Sequence, residues 1–525
     1  MDRDFMNTRA QCAREPVGDK YEMYLQDESR FAGKAEEILF PADAAQVEDA
    51  LRHMTSSKTP LTVQGARTGI SGAATPAGGG ILSMVKMNAI TGLSVDEGGR
   101  FFVTVEPGVP LSELEHCLTR KSFDVSGWSK DSEDALERLK RAPAQIFPPN
   151  PTETTATFGG MFACDAHGPN AYRYGGTADH VHCVTLALPD GRSWKIVRGR
   201  HLFDAEGVTL PDGGRLKVKS SRIQPICRCP IPLQGMDLLD LLAGSEGMLG
   251  IVTDLTLALT SAPLVQWGIM FFFEELSGAL AFSQSVVAGD RAGPADLEAV
   301  EFFDRTSLDL VEELKRSVTR LHLVPDIPAE YQASVYVHLS AGNADAMEEA
   351  LLTLLDAFSA CGGNEEATWA AEGEDEMEKF KVFRHAVPEA ANARFDDLRQ
   401  SCPGVYKLST DFTTPLDCME EAVFMYRRGM KERGLSGAVF GHASVGRLHV
   451  NLFPETPGQI EVAQALIDDW AKHVIVMGGR LAGENGVGKV KRNLLRHMPD
   501  EELAAARAVK DFFDPDGLLN PGNMF

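Results

Sequence analysis

The sequence lacks the cysteine spacing of an iron–sulfur protein or a disulfide-rich domain. Its 525 residues contain nine cysteines, which is an odd number, and no two of them form a C-x-x-C pair. Scattered thiols of this kind argue against a cluster-ligand set and against a disulfide framework. The cysteine pattern therefore predicts a protein of a reducing compartment, and we expect the cytoplasm.

Long apolar runs and positive charge are also scarce. No apolar run reaches the length of about 18 residues that a membrane-spanning helix needs, and the segment Met1–Phe5 does not open a signal peptide. The formal net charge of −24 argues against a nucleic acid or an anionic membrane as the main partner, because phosphates repel an acidic chain. The length and a hydrophobic content of 44% predict a globular enzyme of two or three domains.

Glycine, by contrast, is concentrated in a few short loops. The stretch from Gln64 to Ala73 contains three glycines between two apolar runs. Glycines allow positive φ angles and let backbone N–H groups converge on a phosphate or pyrophosphate. Glycine clusters between strands are usually only turns, so this loop gains weight from the similar stretches downstream: 157–161, 167–176, 244–252 and 483–488.

The order of apolar patterns predicts an α+β protein. Short strands alternate with helical periodicity over the first 220 or so residues. The pattern changes near Ala262–Pro263, where two β–α units begin with strands at Ile269–Phe273 and Ser334–Leu339. These units predict a second domain of the ferredoxin-like type.

One segment is basic in an otherwise acidic chain. Residues 192–229 contain nine Lys or Arg side chains against three acidic ones. The segment is either a solvated insertion or a docking surface for an acidic partner.

Two histidines and a glutamate form a candidate metal site. His442 and His449 lie seven positions apart, so a straight strand would place them on opposite faces. A turn at Ser444–Gly446 would bring both imidazoles together, and Glu484 lies in a glycine-rich loop that can expose its carboxylate. Such a set suits Zn²⁺, Mn²⁺ or Fe²⁺, although two histidines in a hairpin are more often packing or surface residues.

Six motifs in sequence order resemble one flavoprotein family. The chain is similar, over about residues 20–525, to FAD-linked oxidases of the vanillyl-alcohol-oxidase type. Within them it resembles the group of the glycolate oxidase flavin subunit, D-lactate dehydrogenase and D-2-hydroxyglutarate dehydrogenase. The motifs are the loop at 65–72, Pro148–Pro151, Gly159–Gly160, Tyr174–Gly175, Gly244–Val252 and Leu519–Gly522.

The resemblance implies a domain organisation. An N-terminal arm (1–35), for which the polar and mixed residues 1–33 predict a short helix, leads to an FAD-binding domain of two α+β subdomains (36–262). A substrate or cap domain follows (263–480), and a C-terminal segment (481–525) returns, through a helix, to the flavin.

The resemblance also implies the flavin contacts. Residues 60–80 contain neither His nor Cys, which favours noncovalent FAD, although Cys164 and His167 lie near these loops. The implied FAD-binding residues are Gly65, Ala66, Arg67, Thr68, Gly69, Ile70, Ser71, Pro149, Gly159, Gly160, Tyr174, Gly175, Glu246, Ile251 and Asn520.

The chemistry that the family performs implies further roles. His442, His449 and Glu484 would hold a divalent metal beside the flavin. The metal would bind a 2-hydroxy acid and lower the pKa of its hydroxyl, and the α-carbon would pass a hydride to FAD. The candidate catalytic residues are Arg384 and Lys407, which would contact the substrate carboxylate, together with Asn451 and Asn485.

Asn485 departs from the family pattern. The family has Gly-Glu-His-Gly-x-Gly at 483–488, and its histidine takes the hydroxyl proton, whereas an amide is no base near neutral pH. Three explanations are open. In the first, a metal acidifies the hydroxyl, so that water or His385 takes the proton; in the second, the substrate differs from that of the family; in the third, the flavin carries electrons without oxidising an alcohol. Ser444–Val445 and Arg447 also replace the usual residues, which puts the polarity of the pocket in question.

Three functions compete at this point. The first is an FAD-dependent D-2-hydroxy-acid dehydrogenase that passes electrons to a quinone, a flavoprotein or an iron–sulfur partner, with a homodimer and a peripheral membrane position as open possibilities. The second is an aerobic oxidase of another alcohol, against which the retained histidines and Glu484 argue. The third is a non-catalytic flavin subunit that binds its partners through residues 192–229. Bleaching of the flavin by substrate separates the first from the third, and hydrogen peroxide production separates the first from the second.

Overall fold

A computed structural model of the protein describes residues 12–219, 222–223, 231–288, 293–402, 405 and 408–525. Its three main β-sheets follow one another along the chain, so the predicted α+β class is confirmed. The candidate site lies where loops from all three parts meet.

The first sheet carries the glycine-rich loop. Its strand order is β1-β2-β4-β3, with β1 antiparallel to β2 and the other pairs parallel. The carboxylate of Asp43 caps the helix of this sheet by accepting from the Gln46 N–H at 2.9 Å. The elements are β1 (Arg14–Pro16), β2 (Glu37–Leu39), α1 (Ala44–Ser57), β3 (Leu61–Gln64) and β4 (Gly80–Ser83).

The second sheet is antiparallel, with the order β5-β6-β14-β8-β9. Buried and partly exposed residues alternate along β6 and along most of β14, as expected of strands with one face on a core. The elements are β5 (Ile90–Val95), β6 (Phe101–Val105), α2 (Leu111–Arg120), α3 (Lys130–Arg141), β7 (Gln145–Ile146), α4 (Phe158–Cys164), α5 (Ala171–Tyr174), β8 (Val181–Ala187), β9 (Ser193–Val197), β10 (Gly207–Thr209), β11 (Arg215–Lys217), β12 (Arg222–Ile223), β13 (Ile231–Pro232), α6 (Leu238–Leu242), β14 (Ile251–Ala258) and β15 (Thr260–Ser261).

The third sheet has seven strands in the order β19-β16-β18-β17-β21-β22-β20. Its first four strands in sequence are antiparallel neighbours in the order fourth, first, third, second. With α7 and α9 this is a β-α-β-β-α-β arrangement, to which α8 is added between β17 and β18. The elements are β16 (Val265–Phe273), α7 (Leu276–Ala288), β17 (Asp296–Asp304), α8 (Arg305–Lys315), β18 (Ala333–Ala341), α9 (Ala344–Ala360), β19 (Thr368–Glu372), α10 (Glu374–Ser401), β20 (Leu408–Ser409), α11 (Met419–Arg433), β21 (Gly437–His442), β22 (Arg447–Leu452), α12 (Pro457–Val476) and α13 (Asp500–Phe513).

The C-terminal residues pack back onto the first two sheets. Val509 and Phe513 of α13 belong to the core of the second sheet, and Leu519 belongs to the core of the first. Leu519 forms a parallel bridge with Leu61, and the Asn520 N–H donates to the Leu61 carbonyl at 2.8 Å. This segment thus adds an edge beside β3, directly before the glycine-rich loop.

Two expectations about local structure need comment. The N-terminal segment was expected to be helical, but its described part forms β1 and a 3₁₀-helix, Asp19–Leu25. In the basic segment 192–229, Arg192, Arg198 and Arg215 each pair with a carboxylate at 2.5–3.1 Å. Ion pairing therefore offsets part of its positive charge; residues 220–221 and 224–230 lie outside the described part, and partner docking stays a prediction.

Candidate active site

The loop after β3 leaves its backbone amides unpaired. In the part of the chain that the structure describes, none of the N–H groups of residues 65–71 donates a hydrogen bond, whereas the Ser71 carbonyl accepts from the Lys489 and Val490 N–H groups at 3.0 Å each. Arg67 has a φ of 62° and Gly72 a φ of 73°. Unpaired amides around left-handed residues form a concave anion site. The loop therefore fits a phosphate or pyrophosphate.

Polar atoms around this loop also lack protein partners. The hydroxyls of Ser71 and Thr157 are buried without a hydrogen-bond partner among the described residues, and both residues line the same cavity. A Cβ on Gly65 would lie 2.3 Å from the Thr157 hydroxyl oxygen, so the loop can approach the start of α4 only with glycine there. Buried hydroxyls without protein partners call for a ligand or water, which suits a dinucleotide in this cavity.

Asn520 and Glu246 line the cavity and also hold the glycine-rich loop in place. The Asn520 amide oxygen accepts from the Val63 N–H at 2.7 Å, and its NH₂ group donates to the Glu246 carbonyl. The buried Glu246 carboxylate accepts from the N–H groups of Val487 and Gly488 at 2.6 and 2.9 Å. These bonds connect the end of β3 with the 484–488 loop, so both residues position the site, although both also line the cavity.

Tyr174 and Gly175, which the resemblance assigns to the flavin, pack against neighbouring elements. The Tyr174 hydroxyl donates to Glu298 at 3.1 Å. A Cβ on Gly175 would lie 2.3 Å from the Asp179 carboxylate. The structure thus does not place either residue in the lining of the main cavity.

Three other predicted flavin residues also lie outside that lining. Gly159 and Ile251 line a neighbouring cavity of about 80 Å³, which shares Gly160 with the main one. Pro149 belongs to the lining of neither cavity. Their predicted contacts with FAD stay predictions.

The two histidines converge as the turn predicts. β21 ends at His442, residues 443–445 turn, and β22 pairs back so that His442 lies opposite Arg447 and Phe440 opposite His449. The two imidazole ring centres lie 6.1 Å apart. The hairpin therefore places both rings on the side of the sheet that lines the cavity.

Glu484 joins the imidazoles. Its carboxylate oxygens lie 3.0 Å from His449 Nε2 and 3.5 Å from His442 Nε2, and the three groups offer donor atoms within 4.8 Å of one another. Arg447 adds a guanidinium 2.9 Å from the same carboxylate. Burial opposes ionisation of Glu484, but the two histidines and Arg447 outweigh it and hold the pKa of the carboxyl well below its usual range.

A second carboxylate lies behind His442. Glu301 in β17 approaches His442 Nδ1 at 3.1 Å and forms an ion pair with Arg384 Nε. Burial raises the pKa of Glu301, but Arg384 and His442 outweigh it and lower this pKa to about 2. The Arg384 guanidinium also lies over the Tyr336 ring, 5.1 Å from its centre. Glu301 thus stays ionised and orients both cationic groups.

A third carboxylate supports His449. Asp411 is fully buried and lies 3.7 Å from His449 Nδ1 and 3.5 Å from Lys491 Nζ. It also accepts the backbone N–H groups of Glu484 and Asn485 at 3.0 and 2.8 Å. Asp411 therefore fixes the 484–488 loop against β22.

The two histidines, together with Glu484 and Glu301, open onto one cavity of about 640 Å³. Arg384, Asn451 and Asn485 line it together with residues 65–71 and the histidine pair. The Asn451 side-chain oxygen is buried and has no hydrogen-bond partner among the described residues, so it is available to a ligand. The remaining candidate, Lys407, lies outside the described residues.

The cavity is negatively charged on balance. Among its described lining residues are six carboxylates and three arginine guanidinium groups. Two of those arginines, Arg320 and Arg384, already pair with Glu389 and Glu301. Such a cavity attracts a cation and does not by itself attract an anionic substrate.

Sequence reasoning found the histidines and Glu484 but missed Glu301 and the contacts of Asp411. Glu301 is the informative case, because a charged residue in the middle of the buried strand Asp296–Asp304 needs a partner. Its partners, Arg384 and His442, lie 83 and 141 positions further along the chain, beyond the reach of local patterns.

Comparison with known proteins agrees with this architecture. Residues 35–126 match the FAD binding domain, and residues 266–524 match the C-terminal domain of FAD linked oxidases. A solved structure of alkyldihydroxyacetonephosphate synthase superposes with a TM-score of 0.58 at 15% identity, covering 93% of this chain and 76% of that one. This likeness shows a shared fold.

Full-length relatives have similar sequences. D-lactate dehydrogenase of Anaerostipes hadrus is 27% identical over 97% of this chain and 94% of its own. The glycolate oxidase subunit GlcD of Bacillus subtilis is 24% identical over 93% and 88%. An uncharacterised FAD-linked oxidoreductase of Mycobacterium tuberculosis is 26% identical over 92% and 90%.

The fold and these matches define an FAD-dependent oxidoreductase. More narrowly, the chain belongs to the FAD-linked oxidases, which confirms the resemblance to the group with D-lactate dehydrogenase and the glycolate oxidase subunit. Among the described residues, no helix is both long and apolar enough to cross a lipid bilayer.

Proposed function

We propose that the protein oxidises a D-2-hydroxy acid to the corresponding 2-oxo acid in this cavity. The observation that carries the proposal is that the unpaired amides of 65–71, the set His442, His449 and Glu484, and Arg384 open onto one cavity. Relatives over nearly the full length are named D-lactate dehydrogenase and glycolate oxidase subunit. Bound FAD would supply the hydride acceptor at its N5 atom.

The donor set fits a divalent cation such as Zn²⁺, Mn²⁺ or Fe²⁺. Two imidazole Nε2 atoms and one carboxylate lie within 4.8 Å of one another, and each imidazole has a second carboxylate near its Nδ1 atom. Such outer carboxylates orient metal-binding histidines. A bound cation would offset the excess of carboxylates and lower the pKa of the substrate hydroxyl.

Arg384 and Asn451 would hold the substrate. We assign the substrate carboxylate to Arg384, because a guanidinium matches carboxylate geometry. Glu301 offsets its charge, so Arg384 orients more than it attracts. The unpartnered oxygen of Asn451 would accept a hydrogen bond from a donor group of the bound ligand.

Asn485 supports an alternative, a flavin subunit that transfers electrons without oxidising an alcohol itself. The side-chain amide lies 3.5 Å from Glu484 and cannot take a proton. In that case the electron acceptor, a quinone or a partner protein, would bind elsewhere on the surface. An aerobic oxidase of another alcohol is the remaining alternative, and peroxide formation would reveal it.

An anaerobic visible spectrum tests the proposal. We expect D-2-hydroxy acids of a D/L panel to bleach the flavin absorption of the purified holoprotein within one turnover. The L-enantiomers serve as the matched control. A yellow protein that no hydroxy acid reduces would contradict the proposed oxidation and favour the electron-transfer alternative.

Restoring the family residue at position 485 is a second test. Asn485→His is expected to raise the rate on simple D-2-hydroxy acids by roughly tenfold, since a positioned base contributes about 10²–10⁴ in total and the wild type has part of this already. Stopped-flow flavin reduction measures the rate. An unchanged or lower rate across the panel would show that the pocket is adapted to another substrate.

A further inference from the structure

We propose that His167 Nε2 accepts the hydroxyl proton in place of the missing histidine at position 485. The inference rests on the proposed oxidation of a hydroxy acid and adds to it the residue that completes the proton transfer. His167 lines the main cavity, and neither the metal set nor the substrate anchor uses it.

The backbone fixes which ring nitrogen of His167 can act. Helix α4 ends at Cys164, and Asp165 adopts a left-handed φ of 48° that turns the chain. His167 Nδ1 then lies 2.5 Å from the Asp165 carbonyl oxygen. A carbonyl only accepts, so Nδ1 carries the hydrogen and Nε2 of the neutral ring is the acceptor.

Nε2 has no hydrogen-bond partner among the described residues, and the ring fits tightly. A Cβ on Gly176 would lie 2.7 Å from both Nε2 and Cε1, so the wall on that side must be glycine. The side chain is partly accessible, and because it lines the cavity this access is to the site. Nε2 is therefore the ring nitrogen left free to accept a proton, on a residue that lines the cavity.

Burial keeps the His167 ring neutral against the charges around it. Burial lowers its pKa, and Arg447 of β22 lowers it further, whereas Asp165 and Glu484 act in the opposite direction without reversing the shift. A neutral imidazole near pH 7 is the form that accepts a proton. His167 lines the same cavity as Glu484, and the Glu484 carboxylate acts on the pKa of its ring.

The other cavity imidazoles are less suitable. His442 and His449 face Glu484 through Nε2, so a metal would occupy them. His385 lies beside Arg384 on α10, and its charged neighbours are Arg384, Lys381, Glu301 and Glu153. His385 is thus associated with the carboxylate end of the substrate, whereas His167 is associated with the hydroxyl end.

The step balances in atoms and electrons. The substrate carbon loses a hydride to FAD, and the hydroxyl oxygen loses its proton to His167 Nε2. The C–O bond becomes the C=O bond of the 2-oxo acid. The imidazolium then releases the proton to water, which returns the ring to its acceptor form.

The rate at which substrate reduces the flavin in the His167→Asn variant tests this role. We expect the rate with the best D-2-hydroxy acid to fall by about 100-fold or more, since a positioned base contributes at least that much. The wild-type rate should rise with pH through a pKa below the usual histidine value of about 6.5, and this limb should disappear in the variant. Adding Asn485→His should restore part of the rate.

A control variant, the flavin spectrum and the imidazole ¹⁵N resonances distinguish a proton-accepting role from a purely structural effect. His53→Asn, at an exposed position of α1, should keep both rate and pH profile, and the flavin spectrum of His167→Asn should match the wild type. The ¹⁵N resonances of the imidazole, assigned by their loss in the variant, should show the Nδ1–H tautomer in the holoprotein at pH 7.

The outcomes distinguish this inference from the proposed function. A wild-type flavin that hydroxy acids reduce, with His167→Asn reduced equally fast and with the same pH limb, overturns the role of His167 and leaves the proposed function intact. A doubly protonated ring at pH 7 also overturns it. A wild-type flavin that no hydroxy acid reduces removes the proposed function and this inference together. If His167→Asn does not bind FAD, His167→Gln gives the same test.

Discussion

His442→Ala is expected to lower substrate-driven flavin reduction by at least about 10³-fold while leaving the yellow FAD spectrum unchanged. The substitution removes one of three converging donors and leaves Glu301 and Glu484 without their shared neighbour. The unpaired amides of 65–71, which fit the pyrophosphate, lie on another part of the chain and keep their geometry. Metal analysis of the dialysed protein and stopped-flow absorbance measure both effects.

An imidazole away from the cavity provides the matched control. His473→Ala changes an exposed histidine on α12, so it should retain metal and rate. Full turnover of His442→Ala, or of wild-type protein freed of metal by a chelator, would contradict the metal assignment. Loss of FAD from His442→Ala would show instead that the hairpin supports the flavin half.

Glu246→Ala is expected to destabilise the protein by roughly 2–5 kcal/mol and to weaken retention of FAD. The buried carboxylate accepts the N–H groups of Val487 and Gly488, and each buried donor left unpaired costs about 1–3 kcal/mol. The 484–488 loop also carries Glu484, so its displacement would disturb the donor set. Denaturant unfolding, followed by flavin fluorescence and circular dichroism, measures the change.

Glu246→Gln separates this hydrogen bonding from the charge of the side chain. One carboxylate oxygen accepts both N–H groups at 2.6 and 2.9 Å, and the other accepts from Gly488 at 3.1 Å. A glutamine oxygen can keep the two shorter bonds. We therefore expect Glu246→Gln to remain within about 1 kcal/mol of the wild type. Equal destabilisation by both variants would indicate that the negative charge itself stabilises the loop.

Local sequence patterns predicted much of the fold because the relevant signals are short in range. The predicted strand Ser334–Leu339 lies within β18, and the turn at 443–445 brings the histidines together as expected. The β–α units of the second half form the predicted ferredoxin-like arrangement. In each case periodicity or a turn residue fixes the geometry within about 20 residues.

The candidate site was less predictable because its residues depend on partners far away in the sequence. Arg384 was expected to face the substrate, but its pairing with Glu301 follows only from the approach of α10 to β17. The predicted flavin contact of Tyr174 stays a prediction, and the bond from its hydroxyl to Glu298 likewise joins two distant parts of the chain. Residue types reveal possible chemistry, whereas packing between separate elements decides which pairs form.

Because Leu519 forms a bridge with Leu61, the part of the cavity lined by residues 65–71 is completed late in synthesis. Hundreds of codons separate β3 from the residues that pair with it, so the emerging chain carries an incomplete pocket until Asn520 leaves the ribosome. Contacts of such long sequence separation form slowly, since the intervening chain must be ordered first. Cofactor loading should accordingly follow the emergence of Leu519 and Asn520 from the ribosome.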